Sequence, residues 1–211
     1  MNYTFHSFRH SGVILNEFQF VDQLSEILQI IDSISDEELI AQHESYGHQD
    51  RSKLPKSLSV TINELLKKRF AEKEWNEESN IFQDSEYQGE NWRLDFAKAD
   101  ISIEVAFNHS SVIAWNLIKP VLASELNHVQ KAIQTQVGVI ITATQELKDA
   151  GGFDGAIGTY EKYLDYLPPL RNMLTVPLLI IGLKAPETFR IKHEQFDPRK
   201  KIGLINKLNI I

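Results

Sequence analysis

The 211-residue sequence contains no cysteine, and no apolar run in it is long enough to cross a membrane. Without cysteine, neither a disulfide framework nor a cysteine-ligated zinc site can form, and a reducing compartment is the natural environment. The first residues, MNYTFHSFRHSG, also lack the basic segment followed by an apolar segment that marks a secretory signal. We therefore expect a cytoplasmic protein that makes no contact with a membrane.

Positive charge is in the minority. The chain has 22 Lys and Arg against 29 Asp and Glu, which gives a formal net charge of -7. Proteins that bind nucleic acid need clustered Lys and Arg against the phosphates, so this balance argues mildly against such a partner. It does not exclude one, because a basic cleft can coexist with an acidic outer surface. The cationic cluster Lys67, Lys68, Arg69 and Lys73 is interpreted as a solvated helix face, with phosphate contact as the alternative.

The first 75 residues predict mainly helices. Apolar residues recur at helical spacing over residues 18–34, and Ser35 with the acids after it predicts the capped start of a second helix. A third helix is expected from Ser59 to the residues before Trp75, after a polar loop at residues 43–57. We expect this helical part to belong to a single domain over residues 1–211, whose catalytic core spans about residues 90–185.

The rest of the chain alternates strands and helices. We expect a loop at 76–91 with a short strand at Ile81 and Phe82, then two strands within 92–109 and a helix over 110–135 that Pro120 kinks or restarts. A strand at 137–142 and a glycine-rich loop at 149–158 follow. The last expected elements are a helix from Thr159 to Leu167 that Pro168 and Pro169 stop, a strand at 176–183 and a peripheral tail. A helix between two apolar strands indicates a β-α-β crossover. The predicted class is α/β, a mixed central sheet flanked by helices.

The stretch WRLDFAKADISIEVAFNH carries the chemistry that we infer. Asp95 lies in its first strand, and Glu104 lies nine positions later in a strand whose other face is apolar. A half-buried carboxylate is usually paired, hydrogen-bonded or bound to a metal, and two acids across a tight connection can converge on one cation. Oxygen ligands favour Mg²⁺, which would assist attack of water on a phosphodiester. The alternative is a surface turn with an ordinary ion pair from Lys98 or Arg93.

The residues LDFAKADISIEVAFNH resemble type II restriction endonucleases of the BglII and BstYI group, within the PD-(D/E)xK nuclease superfamily. The resemblance extends more weakly through VGVIIT, the glycine-rich loop with GTYEKY, and VPLLIIGL, so that it covers roughly residues 59–183. It implies a restriction-endonuclease-like fold and a homodimer that uses Mg²⁺ to cut both strands of double-stranded DNA at a short palindrome.

The resemblance also implies roles for individual residues. Metal ligands would be Asp95, Glu104 and the carbonyl of Val105. Base-reading residues would follow the second strand, and further DNA contacts would lie around the glycine-rich loop; these are Asn108, His109 and Ser110, then Phe153, Asp154 and Thr159. Such direct readout is chemically reasonable, because Asn can bond adenine in bidentate fashion and Asp can accept from cytosine.

One position departs from the family pattern. The superfamily has Lys two residues after the second acid, and this group commonly has Gln or Glu there, whereas this chain has Ala106. Alanine can neither position the attacking water nor bind metal. The candidates for a relocated catalytic group are Lys98, Asn108, Lys119 and Glu125. We favour Lys119 and Glu125, because the helix that carries them is expected to pack beside the acid-bearing sheet.

Three functions are therefore open. The leading hypothesis is a site-specific DNA endonuclease. The second is a DNA-binding protein of the same fold that has lost cleavage, as Ala106 suggests. The third is an unrelated metal-dependent hydrolase of a small phosphate ester.

Overall fold

A six-stranded mixed sheet forms the centre of the computed structural model, which describes residues 1–87, 89–125 and 130–208. The strands are β1 (Tyr3–Phe8), β2 (Asn76–Asn80), β3 (Arg93–Lys98), β4 (Ile101–Val105), β5 (Val137–Ala143) and β6 (Leu178–Leu183). Their order across the sheet is β1-β6-β5-β4-β3-β2. The three central strands β4, β5 and β6 are parallel, and β1, β3 and β2 pair antiparallel. The predicted fold class is confirmed.

Helices cover both faces of this sheet. In the described part of the chain they are α1 (Ser11–Ile14), α2 (Val21–Asp32), α3 (Asp36–Ser45), α4 (Ser59–Glu72), α5 (Ile113–Ser124), α6 (Gln145–Ala150) and α7 (Tyr160–Leu170). Short 3-10 turns occupy Arg51–Lys53, Ser85–Tyr87, Glu90–Trp92 and Ser110–Val112. A hairpin of β7 (Phe189–Asp197) and β8 (Lys200–Lys207) forms a second, two-stranded sheet. None of the helices within the described ranges is long and apolar enough to cross a bilayer.

The two faces of the central strands bury different helices. Ile103, Ile141 and Ile181 belong to a core that also contains residues of α2, α3 and α4. Ile140 and Ile180 belong to the core that contains α5 and α7. Every residue of β5 and β6 is buried, as expected for parallel strands covered on both sides. The predicted β-α-β crossover is present as β4-α5-β5, and it lays α5 along the second face.

Both edge strands differ from the prediction. β1 pairs antiparallel with β6, although no strand was expected before Phe18. Its exposed positions mix Phe5 with polar residues, so it has no clean apolar alternation. The short strand expected at Ile81 and Phe82 is instead β2, whose sequence NEESN contains no apolar residue at all. β2 is stabilised by backbone hydrogen bonds to β3, and the pattern of side chains does not reveal such pairing.

Two predicted helix ends were wrong. α5 ends at Ser124, and Glu125 has extended backbone. Residues 130–135 are not helical, and the amide of Ala132 instead bonds the carbonyl of Ile81 at 3.0 Å. The predicted helical positions Leu126 and Val129 lie outside the described residues. Pro168 and Pro169 fall inside α7, which ends at Leu170, so they did not stop that helix at Leu167 as expected. Pro120, which was expected to kink or restart the helix, falls inside α5.

The tail is packed more firmly than a peripheral segment. Ile191 and Ile202 of the β7–β8 hairpin are buried. His43 of α3, fully buried, joins this hairpin to α4, because its Nε2 lies 2.9 Å from the Gly203 carbonyl and its Nδ1 lies 3.2 Å from the Thr61 hydroxyl. Burial lowers the pKa of His43, so its neutral form is favoured.

Gly138 generates the first prediction, because it lets Pro120 of α5 approach β5 closely. A Cβ at Gly138 would lie 2.5 Å from Pro120 Cβ and 2.7 Å from Leu178 Cδ2. Gly138→Ala should therefore lower the free energy of unfolding by about 1–3 kcal/mol through overpacking. Gly155→Ala is the matched control, since nothing lies within 4 Å of its Cβ position, and it should change stability by less than about 0.5 kcal/mol. Urea unfolding measures both, and equal stability of the two variants would contradict the close packing of α5.

Candidate active site

The β3–β4 hairpin brings the two predicted acids together. The strands turn at Ala99, which has left-handed backbone with φ 49°, and pair with Phe96 opposite Ile103. One step further along this antiparallel register, Asp95 lies across from Glu104 on the same face of the sheet. Asp95 Oδ2 also accepts a hydrogen bond of 2.7 Å from the amide of Val105. The tight strand connection thus produces the convergence that the sequence predicted.

Glu104 is the most constrained group of the site. It faces α5 and α7, because it is the register partner of Ile140, and it is only 3% exposed. Lys119 Nζ, from α5, donates a 2.7 Å hydrogen bond to Glu104 Oε2 within this buried environment. The other oxygen, Glu104 Oε1, is buried and has no hydrogen-bond partner among the described residues. A buried carboxylate oxygen without a partner is costly unless a further group binds it.

The electrostatics of the pair favour an added cation. Burial raises the pKa of Glu104 to about 8, the charge of Asp95 adds to this, and Lys119 opposes it. Burial also raises the pKa of Asp95, while the Val105 amide and Lys119 act in the opposite direction. The charge of Asp95 therefore makes the ionised form of Glu104 less favourable. A divalent ion between them would relieve that repulsion and occupy the free oxygen of Glu104.

The donor set fits Mg²⁺ better than a metal that needs a full protein cage. Within residues 1–87, 89–125 and 130–208, no group of three or more His, Asp or Glu side chains is placed to hold a metal ion. Mg²⁺ usually keeps several waters and needs only one or two carboxylates together with a substrate phosphate. Asp95 and Glu104 meet that need, and the contribution of the Val105 carbonyl stays a prediction.

A small cleft of about 160 Å³ opens beside Asp95 and Val105. One wall is α4, whose Lys67 pairs with Glu77 at 2.9 Å and with Glu78 at 3.9 Å. Glu78 lies on β2 between Glu77 and Ser79, which pair with Phe96 and Leu94 on either side of Asp95. The charge of Glu78 contributes to the raised pKa of Asp95. The sequence predicts that Lys67 lies on a solvated helix face, with phosphate contact as the alternative. The cationic cluster of α4 is the one sequence feature that belongs to this cleft. The side chain of Lys67 is about half exposed.

Of the four candidates for the group missing at Ala106, Lys119 alone contacts Glu104 in the described structure. Lys98 Nζ instead bonds Glu26 of α2 at 2.8 Å, together with a backbone carbonyl. Glu125 lies just past the end of α5, six residues beyond Lys119, and its side chain is exposed. Asn108 is exposed beyond the end of β4 and bonds Asn116 rather than either acid. Ala106 itself is buried beside the Glu104 strand.

The two segments predicted to read DNA lie side by side. The amide of Gly158 bonds the carbonyl of Asn108 at 3.0 Å, and the amide of Ser110 bonds the carbonyl of Ala156 at 2.8 Å. Between these bonds, His109 and Ile157 form an antiparallel bridge. The segment after β4 and the glycine-rich loop therefore form a short ribbon, which the sequence did not reveal because their pairing is long-range.

The predicted DNA contacts separate into surface and buried groups. Asn108 and His109 are exposed, Ser110 is partly exposed, and Asp154 is exposed and 3.6 Å from Lys56 Nζ. The side chains of the other two are buried in this conformation, and their contact with DNA stays a prediction. Phe153 is 8% exposed and packs edge-on against Phe107, with ring centroids 5.5 Å apart. Thr159 is 1% exposed and precedes the first residue of α7.

Comparisons with known proteins place this geometry in context. A family model described as restriction endonuclease BglII/BglIII matches residues 3–183. The crystal structure of restriction endonuclease BglII complexed with a DNA 16-mer is similar in fold, with a TM-score of 0.65 and 21% identity over 98% of this chain and 93% of that one. Free BglII gives a TM-score of 0.59 and 19% identity, over 99% and 100% of the chains. No curated protein sequence matches this chain.

Burial of Glu104 generates a prediction about pH and stability. The pKa of Glu104 is about 8 in the fold against an ordinary value of 4.5, so between these values the folded state holds a proton that the unfolded chain has released. The free energy of unfolding should therefore fall as pH rises through this window. Glu104→Gln should remove most of that fall, as measured by urea unfolding in EDTA between about pH 5 and about pH 8. Glu17→Gln, at an exposed position outside the site, should keep the wild-type dependence. An unchanged slope in Glu104→Gln would contradict the assignment.

Proposed function

The chain belongs to the restriction endonuclease BglII/BglIII family, whose members are type II site-specific deoxyribonucleases, and from this premise we propose that it uses Mg²⁺ to cut both DNA strands at a short palindrome. The observation that carries the proposal is buried Glu104 paired with partly buried Asp95, with Lys119 Nζ 2.7 Å from one Glu104 oxygen and the other oxygen unpartnered among the described residues. This is the donor set of a PD-(D/E)xK site with its lysine supplied by the next helix.

The metal ligands in this proposal are the Asp95 and Glu104 carboxylates and the carbonyl of Val105. When bound, Mg²⁺ would polarise the phosphate, lower the pKa of a water ligand and shield the leaving oxygen. Asp95 and Glu104 are held in place for metal binding because they lie on adjacent strands, which cannot separate without breaking the hydrogen bonds of the sheet. The Val105 amide orients Asp95, and Lys119 orients Glu104.

Lys119 takes the role of the residue missing at Ala106. An ammonium group has three donors, and only one of them is used by Glu104 Oε2. The remaining donors can hold the attacking water or a phosphate oxygen beside the metal ligands. The positive charge also favours the ionised form of Glu104, which metal binding requires. Glu125 lies past the end of α5 and makes no hydrogen bond to Glu104 among the described residues, so the proposal gives this role to Lys119.

We propose that the exposed part of the ribbon contacts the DNA bases through Asn108, His109, Ser110 and Asp154. Phe153 and Thr159 would support these residues by packing beneath the ribbon. A palindrome presents the same contacts twice about a two-fold axis, and one chain offers one acid pair. We therefore propose a homodimer in which each copy cuts one strand of double-stranded DNA. A cytoplasmic location without membrane contact fits this substrate.

The alternative is a DNA-binding protein of this fold that has lost cleavage, and the buried alanine at 106 favours it. Digestion of a mixed-sequence plasmid with Mg²⁺ separates the two functions. Discrete fragments support the endonuclease, and sequencing their ends gives the target and the overhang together. Tight specific binding without cutting supports the binder. A protein without DNA affinity at low salt would exclude both and favour the small phosphate-ester hydrolase, because binding to phosphates depends steeply on salt.

The lysine assignment gives a direct prediction. Lys119→Met keeps the side-chain length but removes the charge, and it should slow single-turnover cleavage of plasmid DNA by at least about 100-fold. Lys98→Ala and Glu125→Ala remove the other charged candidates and should stay within about fivefold of wild type.

A stability control accompanies this comparison, because removing Lys119 leaves Glu104 buried without its partner. Urea unfolding must show that Lys119→Met is folded at the assay temperature. Wild-type cleavage by a folded Lys119→Met protein would exclude Lys119, and a large loss in Lys98→Ala instead would assign the role to Lys98.

A further inference from the structure

Asn116 of α5 is a buried polar side chain that the proposed reaction does not use. It is 3% exposed, and its neighbours along the helix, Trp115 and Leu117, are apolar. Its Nδ2 donates to Asn108 Oδ1 at 3.1 Å and to the Tyr163 hydroxyl at 2.7 Å. Burying a carboxamide is unfavourable unless its hydrogen bonds are made, so this arrangement fixes the side chain of Asn116.

The hydrogen bond from buried Asn116 fixes the side chain of the exposed residue Asn108. Asn108 is the first exposed position after β4, and its backbone carbonyl is already held by the amide of Gly158. The bond from Asn116 adds a constraint on the side chain. With Asn108 Oδ1 directed inward, its Nδ2 group is directed outward, towards the surface shared with His109. Both the backbone and the carboxamide of Asn108 are therefore held before any ligand binds.

We propose that Asn116 is a positioning residue that holds the Asn108 carboxamide with its N–H donors facing DNA, and that Asn108 reads a hydrogen-bond acceptor on a base edge. The inference rests on the proposed function and deepens it. The acceptors offered in the major groove are guanine O6 and N7, adenine N7 and thymine O4. Reading by a pre-oriented donor costs little side-chain entropy, which a mobile surface asparagine would lose on binding.

Tyr163 of α7 forms the base of the same network. Its side chain is 1% exposed, and its hydroxyl touches Asn116. The nearby charges of Glu104 and Asp95 help to raise the pKa of Tyr163, after the larger effect of burial, so the hydroxyl stays protonated. Asn116 and Lys119 are three residues apart on α5 and so lie on one face of the helix. One helix face therefore contacts both a recognition residue and a metal ligand.

A double-mutant cycle tests whether Asn116 acts through Asn108. Wild type, Asn108→Ala, Asn116→Ala and the double variant would be assayed by single-turnover cleavage. The substrates are the site found by end-sequencing and its single-base-pair variants. Each single variant should lose about tenfold in discrimination at one and the same base pair. The double variant should be no worse than Asn108→Ala. Additive losses, or unchanged discrimination in Asn116→Ala, would overturn the proposal.

Two milder variants keep the test valid if Asn116→Ala is unstable. Tyr163→Phe removes only the hydroxyl below Asn116 and should lose roughly two- to threefold in discrimination at the same base pair. Asn108→Asp replaces the outward donor with an acceptor, and it should lose as much as Asn108→Ala. Full activity of Asn108→Asp on the wild-type site would show that an acceptor, and not a donor, faces the DNA.

A measurement without DNA separates this proposal from the proposed function. The order parameter of the Asn108 side-chain ¹⁵N should be close to the value of about 0.85 that marks rigid groups, and should fall below about 0.6 in Asn116→Ala. The exposed Asn76 of β2 should be unaffected by the substitution. A mobile Asn108 in wild type overturns the positioning proposal whether or not DNA is cut. A rigid Asn108 in a protein that neither binds nor cuts DNA would overturn the proposed function, and with it base reading by Asn108, while positioning of Asn108 by Asn116 would stand.

Discussion

The hydrogen bond between Lys119 and Glu104 is the constraint on which the rest of the site depends. Glu104 lies in the middle of the sheet, where an unpaired carboxylate would be strongly unfavourable, and Lys119 supplies its one charged partner within the described structure. The pair is not an efficient way to stabilise a fold, because apolar residues of similar volume would often do as well. Its unpartnered oxygen belongs to a carboxylate whose pKa is raised by burial and by the charge of Asp95, and it is the group that the proposed cation would satisfy.

The topology explains why the lysine can come from a different element. A strand followed by a crossover helix returns to the same sheet beside that strand, so α5 necessarily packs against the face to which Glu104 points. A side chain on the inner face of α5 therefore reaches the acid as directly as one two residues further along β4. Gly138 lets the helix approach closely, because any larger residue would meet Pro120. The position freed at Ala106 is then filled with apolar packing.

Local patterns were sufficient for the acids and the central strands, because burial on both faces produces the β-branched runs of β5 and β6. The spacing of Asp95 and Glu104 followed from the hairpin alone. The edge strands β1 and β2 were missed because backbone pairing holds them, and their side chains carry no apolar alternation. Phe153 and Thr159, which were predicted to contact DNA, have buried side chains, and the sequence could not show this because burial of a loop residue depends on the segment it pairs with. Asn116 gave no signal beyond being polar within an apolar helix.

The proposed recognition and the proposed chemistry converge on a single face of α5. Asn116 bonds the residue that follows β4, and Lys119, one turn later, bonds Glu104 within β4. The two bonds span only five residues of the strand and its extension, from Glu104 to Asn108. A rigid helix cannot shift at one of these positions without shifting at the other, since they are separated by a single turn. If the ribbon moves when it engages DNA as proposed, α5 would transmit that displacement to Glu104, the proposed metal ligand. Wrong bases would then be rejected at the chemical step as well as in binding, without a separate gating segment.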